Sequence, residues 1–196
     1  MPRPRTHDQA LRANLLEEAG RTLVEQGPAA LSLRKLAERT GTSTTAVYSL
    51  FGGKPELLRA LFIEGARRFT VAMAAVEPGR NPLETIERLG VAYREYGIAN
   101  PHLYQVVFGG AVPELEPDDE AREEAARAIA PLLDAVRAAR EQGLFGEYPI
   151  EAIALALWSG VHGLVTLELN KSVPATLDIK ANHRTVVAAA IRAWLA

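Results

Sequence analysis

The sequence predicts an all-α protein of about nine helices. Apolar residues recur every three or four positions in one segment after another. Pro and Gly mark the ends of those segments. No run shows the two-residue alternation of a convincing strand. The segments divide into a short N-terminal three-helix group, residues 1–54, and a larger helical remainder, residues 55–196.

Met1 to Thr6 carries Pro2, Pro4, Arg3 and Arg5, and reads as a short basic arm that cannot be helical. Asp8 to Gln26 follows, with Leu11, Leu15, Ala19 and Leu23 on one stripe, widened by Leu16 and Val24, and Gly27-Pro28 ends it. The stretch Leu31 to Leu58 then organises the rest. Ser32 is a capping residue ahead of Leu33-Arg34-Lys35-Leu36-Ala37. Gly41 can take the left-handed backbone that turns the chain, and Ser43 or Thr44 can cap the next helix, through Ala46, Val47 and Tyr48. Two helices that cross steeply over a short turn need a small residue at closest approach, a glycine in the turn and a branched apolar residue packing back. Ala37, Gly41 and Val47 supply them. This pattern is a helix-turn-helix whose second helix projects Thr44, Thr45, Tyr48 and Ser49 outward.

Pro55 suits the first turn of a longer helix reaching about Val76, with Leu57, Leu58, Leu61, Phe62, Phe69 and Met73 on its apolar face. A break at Glu77 to Pro82 precedes helices over Leu83 to Ala99 and His102 to Phe108. Gly109 to Asp119 reads as a loop. Glu120 to Gln142 is helical and bent by Pro131, with Ala125, Ala128, Ile129, Leu132, Leu133 and Val136 on one face. Ile150 to about Asn170 is apolar nearly all round but broken by Trp158, Ser159, His162 and Glu168, which reads as a buried helix and not a membrane span. The last helix, about His183 to Ala196, offers Ile191 and Trp194 on a second sticky face. Surplus apolar surface on these two helices predicts a homodimer through an intersubunit four-helix bundle.

Composition bounds the function. The chain has 196 residues, 48% apolar and 23% charged, an ordinary globular mix. It has no cysteine, which excludes disulfides, thiol nucleophiles and thiolate metal sites and fits a reducing cytoplasm. No N-terminal apolar run reads as a signal peptide. The net charge of −2 is unevenly placed: residues 1–60 hold 9 Lys and Arg against 6 Asp and Glu, and the remainder is acidic. The basic excess lies with the helix-turn-helix. The 4 histidines lack compact metal-ligand spacing, and no nucleophile elbow, phosphate-binding loop or dinucleotide fingerprint is present. No catalytic residue, metal or cofactor is expected.

Residues 8–58 resemble the DNA-binding domain of the tetracycline-repressor (TetR) family, through Ser32-Leu33-Arg34, Leu36-Ala37, Gly41-Thr42-Ser43, Val47-Tyr48, Phe51, Lys54 and Glu56-Leu57-Leu58. The second half is similar to the family's WHG-type regulatory domain, through Trp158 to Gly163 and the segment Asn100 to Phe108. The resemblance implies a ligand-responsive repressor that binds a near-palindromic operator as a dimer. Thr44 and Thr45 are then expected at base edges, Tyr48 and Lys54 on phosphates, with Ser49, Ser32 and Arg34 as further DNA candidates. It also implies a small, largely apolar effector between helices, with Phe69, Tyr93, Tyr104, Phe108, Trp158 and His162 as candidate lining. Read from spacing alone, Trp158 and His162 are equally a packed core pair. The alternative function is a helical module that binds only protein or small molecules.

Overall fold

The computed structural model describes residues 5–110, 118–174 and 176–196, so Met1–Pro4 of the expected arm and most of the expected loop at 109–119 lie outside the described residues. Nine α-helices and no strand occur among the described residues: α1 (Arg5–Gln26), α2 (Leu33–Arg39), α3 (Thr44–Phe51), α4 (Lys54–Ala74), α5 (Pro82–Ala99), α6 (Pro101–Phe108), α7 (Asp119–Glu141), α8 (Ile150–Leu169) and α9 (Ile179–Arg192). A single 3-10 turn, Pro28–Ala30, joins α1 to α2. Arg5 and Thr6, expected in a non-helical arm, are the first turn of α1. First-turn N–H groups have no intrahelical acceptor, so a proline just upstream does not block a helix start.

The chain forms two compact units. One comprises Met1–Ala66 and His102–Arg122, the other Arg67–Pro101 and Glu123–Ala196. The division therefore does not fall after residue 54. The first three turns of α4 belong to the N-terminal unit because Leu57, Leu58 and Leu61 bury in its core. Leu103 and Val106 of α6 complete that core, against Leu15, Leu16, Ala19 and Leu23 of α1, Leu33, Leu36 and Ala37 of α2, and Val47 and Phe51 of α3. Burial of these side chains is worth about 1.5–3 kcal/mol for each large one, an upper bound relative to a compact unfolded chain.

In the other unit α5, α8 and α9 pack together. Asn81 caps α5 by accepting from the Glu84 N–H. The buried face of α8 is Ile153, Ala154, Leu157, Val161 and Val165. By length and composition α8 is apolar enough to cross a membrane; here its buried face packs on α5 and α9. Gly90 lets α9 approach, since a Cβ there would lie 3.0 Å from Cγ1 of Val187. One turn further along α5, the Arg94 guanidinium grips the Glu168 carboxylate of α8 through Nε at 2.8 Å and Nη2 at 2.5 Å.

Two expected faces are corrected. On α7, which runs through Pro131, Ala125 is exposed, whereas Ala121, Ala135, Val136 and Ala139 are buried. The C-terminal helix begins at Ile179, not His183, because the Asp178 carboxylate accepts the Ala181 N–H and caps it. Ile191 faces inward, 2% exposed, and Trp194 stands past the helix end, edge-on to Tyr148 with ring centroids 5.2 Å apart. Ile191 is therefore not an outward-facing contact, and Trp194 is half-buried.

His183 is a buried polar side chain on α9, 3% exposed, and its Nε2 has no hydrogen-bond partner. Burial pushes its pKa below 6.5; Arg94 pushes the same way, Glu168 opposes, and Arg184 adds to the depression. The folded chain holds it neutral, while the unfolded chain takes the proton more readily. Stability from this group is fully present above about pH 6.5 and is lost as pH falls below it. The midpoint of thermal unfolding should fall as pH drops below about 6.5, and His183→Leu should remove part of that fall. Melting curves across this range check it; an unchanged slope in the variant removes His183 from the account.

Candidate nucleic-acid interface and an aromatic cluster

The α2 helix is built to stop. Thr40 returns its hydroxyl to the Leu36 carbonyl at 2.8 Å. Gly41 takes φ +67°, and the Thr42 N–H reaches back to the Ala37 carbonyl at 2.9 Å. That left-handed turn closes α2 and sends the chain across it. Ser43 then caps α3, its hydroxyl accepting the Ala46 N–H at 3.1 Å. Ser32, expected as the corresponding cap of α2, stands at that position but makes no side-chain cap bond, and α2 starts without one.

With α3 fixed at its start, its phase follows. Val47 is fully buried and Phe51 is 8% exposed, so Thr45, Tyr48 and Ser49 face outward, Tyr48 at 53% exposure. Thr44 is half-buried, as is Ser32, and Arg34 is exposed on α2. The Arg12 guanidinium lies 5.6 Å from the Phe51 ring centroid, a cation over the back of α3. Arg39 bridges α2 to Glu18 at 3.1 Å and Thr22 at 3.0 Å on α1. Sequence reasoning missed this bond. Thr22, 5% exposed beside Leu23 on the core side of α1, is the signal: a buried hydroxyl needs a partner. The Lys54 ammonium donates to the Pro28 carbonyl at 2.7 Å, in the turn between α1 and α2.

Two family descriptions match the sequence. Residues 15–61 match "Bacterial regulatory proteins, tetR family", and residues 86–193 match "Tetracyclin repressor-like, C-terminal domain". The chain belongs to the TetR family. An HTH-type transcriptional regulator of Mycobacterium tuberculosis is 30% identical over 162 residues, covering 81% of this chain and 70% of that one. A second from the same species is 23% identical over 193 residues, covering 82% and 81%. A TetR family transcription regulator from Marinobacter aquaeolei shares the fold, with a TM-score of 0.79 at 23% identity over 98% of this chain and 99% of that one. This TetR-family chain is a DNA-binding transcriptional regulator, and its α2–turn–α3 segment is the helix-turn-helix.

The other unit of the TetR-family chain holds an aromatic cluster. Phe69 of α4 stands edge-on to Tyr93 and Tyr96 of α5, each with centroids 5.2 Å away. The Tyr93 oxygen lies 3.0 Å from His162 Nδ1, and the Trp158 indole N–H points to it at 3.4 Å. An indole only donates, so the Tyr93 oxygen accepts there, and the same oxygen pairs with His162 Nδ1. Burial lowers the His162 pKa, which favours the neutral imidazole. Phe69, Tyr93, Trp158 and His162 thus come together. Tyr104 and Phe108 instead belong to the N-terminal unit, with their rings 5.1 Å apart.

Tyr93→Phe removes the oxygen that joins Trp158 and His162. It should destabilise the protein by about 1–3 kcal/mol, the cost of leaving part-buried polar groups unmade. Chemical denaturation checks it; a variant as stable as wild type means these bonds contribute nothing net.

Proposed function

We propose that the protein is a homodimeric, effector-responsive repressor in the cytoplasm that binds a near-palindromic operator. The observation carrying the DNA contact is the exposed face of Thr45, Tyr48 and Ser49 on a helix whose opposite side is fully buried through Val47. Thr44 and Thr45 read base edges through hydroxyl and methyl groups, Tyr48 holds a phosphate, and Ser49, Ser32 and Arg34 add contacts. A gel shift against the promoter beside its own gene tests this. Tyr48→Ala should weaken specific and random DNA alike, whereas Thr45→Ala should relax sequence preference. No shift with any neighbouring fragment would favour a helical module without DNA contact.

Dimerisation rests on α8 and α9. The outward stripe of α8 is Ala152, Leu155, Ala156, Ser159, Gly160 and Leu167, with Leu155 58% exposed. A Cβ built on Gly160 or Gly163 meets nothing within 4 Å, so a second helix can lie close there. On α9, Val186 and Ala189 face outward. Leu155→Glu with Val186→Glu should give monomers by sedimentation and abolish tight operator binding, since a monomer reads one half-site. A dimer of unchanged affinity moves the interface elsewhere.

The effector reading is supported by the aromatic cluster. A small, largely apolar molecule against Phe69, Tyr93, Trp158 and His162 would press on the end of α4, the helix that Lys54 begins. Such coupling is usually about 1–3 kcal/mol, and the effector must bind the DNA-free form better. Operator affinity titrated with candidate compounds, on wild type and Trp158→Ala, tests it. A compound that binds tightly and leaves operator affinity constant overturns the mechanism.

A further inference from the structure

We propose that Lys54 is a positioning residue: its ammonium staples the start of α4 to the turn between α1 and α2, and so sets the angle of the recognition helix α3. This deepens the operator-binding reading above and assigns Lys54 a role other than neutralising a phosphate.

Helix electrostatics make the placement unusual. Lys54 is the first residue of α4, at the positive end of that helix, where a cation is unfavourable. Glu56 suits that end and folds over it: its Oε2 lies 2.7 Å from where a Cβ on Gly53 would sit. What stabilises the lysine is therefore what its ammonium reaches. It reaches the Pro28 carbonyl at 2.7 Å, a short and part-buried contact. That carbonyl lies just beyond the C-terminus of α1, the negative end of a helix with no basic residue in its last turn. Lys54 supplies the missing cation from 26 residues away in sequence.

The chain between the two ends contains α2, the turn at Gly41 and α3. Only Gly52 and Gly53 separate the end of α3 from Lys54, and Gly52 has φ +87°. Left alone, such a glycine pair lets α3 pivot on α4. The staple removes that freedom by closing residues 28–54 into a ring. Ser43 and the Ala37 carbonyl hold the N-terminal end of α3; Lys54 holds the C-terminal end.

The test uses three forms of the full-length protein: wild type, Lys54→Met, and protein carrying acetyl-lysine at position 54. Met keeps the apolar stem and loses the donor. Acetyl-lysine loses the charge but keeps an N–H at the same distance. Operator affinity, random-DNA affinity and the salt dependence of each are measured, with amide hydrogen exchange at Leu31 and Leu57. Those amides donate to Pro28 and Gly53, the two ends of the staple. Positioning predicts that Met loses operator affinity by roughly tenfold or more, with random-DNA affinity and salt slope unchanged and faster exchange at both amides. Acetyl-lysine should retain most of the discrimination between operator and random DNA. A phosphate role predicts the opposite: both forms weaken every sequence alike and lower the salt slope by about one, with exchange unchanged. That result overturns the proposal. If wild type binds no DNA, the operator reading fails separately, and unchanged exchange in Lys54→Met still overturns the staple.

Discussion

An eight-residue helix is not stable by itself in water, because nucleation costs more than so few hydrogen bonds return. The recognition helix α3 is such a helix. Its order is borrowed from the core, through Val47 and Phe51 packed with α1, α2 and α4. The side chains that face outward have direction only because these two face inward. Arg12 over Phe51 and Arg39 on Glu18 and Thr22 are further ties around the same core. They are exposed enough that each contributes little energy alone. Their effect is on orientation, in a segment where a small tilt moves every outward group at once.

The second unit solves a different problem. An apolar helix such as α8 can slide or rotate against its neighbours with little penalty, since one aliphatic contact resembles another. Directional contacts from α5 break that degeneracy. Tyr93 meets Trp158 and His162, and Arg94 meets Glu168 about two turns further along α8. The two neighbouring α5 residues therefore select which turns of α8 they face. The Arg94 pair is part-buried, and its attraction is largely offset by the loss of water around both ions. Register is the larger part of what it contributes.

Much of this was legible in the sequence. Ala37, Gly41 and Val47 specify the turn because each answers a local steric demand, and Gly41 indeed takes the left-handed backbone. Element types and most boundaries follow from periodicity and from Pro and Gly. Helix phase was less legible. The last helix starts four residues earlier than its apolar pattern suggests, because the Asp178 cap extends it, and its inward face is His183, Val187 and Ile191. Ser32 looks like a cap by residue type, yet its hydroxyl is not used. Long-range pairing was not legible at all. Nothing local says that Lys54 meets Pro28, or that Tyr104 and Phe108 join the N-terminal unit while Trp158 and His162 lie in the other. Spacing reports only which residues share a helix face. The meeting of faces depends on loop geometry, which the sequence encodes weakly.

The N-terminal unit is discontinuous, and this matters for the order of events during synthesis. Its core needs Leu103 and Val106, which leave the ribosome well after Ala66. When the first four helices have emerged, the apolar surface of Leu57, Leu58 and Leu61 still lacks those two side chains. Domains commonly fold as units as they are made, but here the first to appear cannot close until much of the other has been translated. A nascent chain whose first 74 residues have emerged would therefore show an open, chaperone-accessible groove along α4. A truncated chain that ends after α4 would keep the same groove permanently.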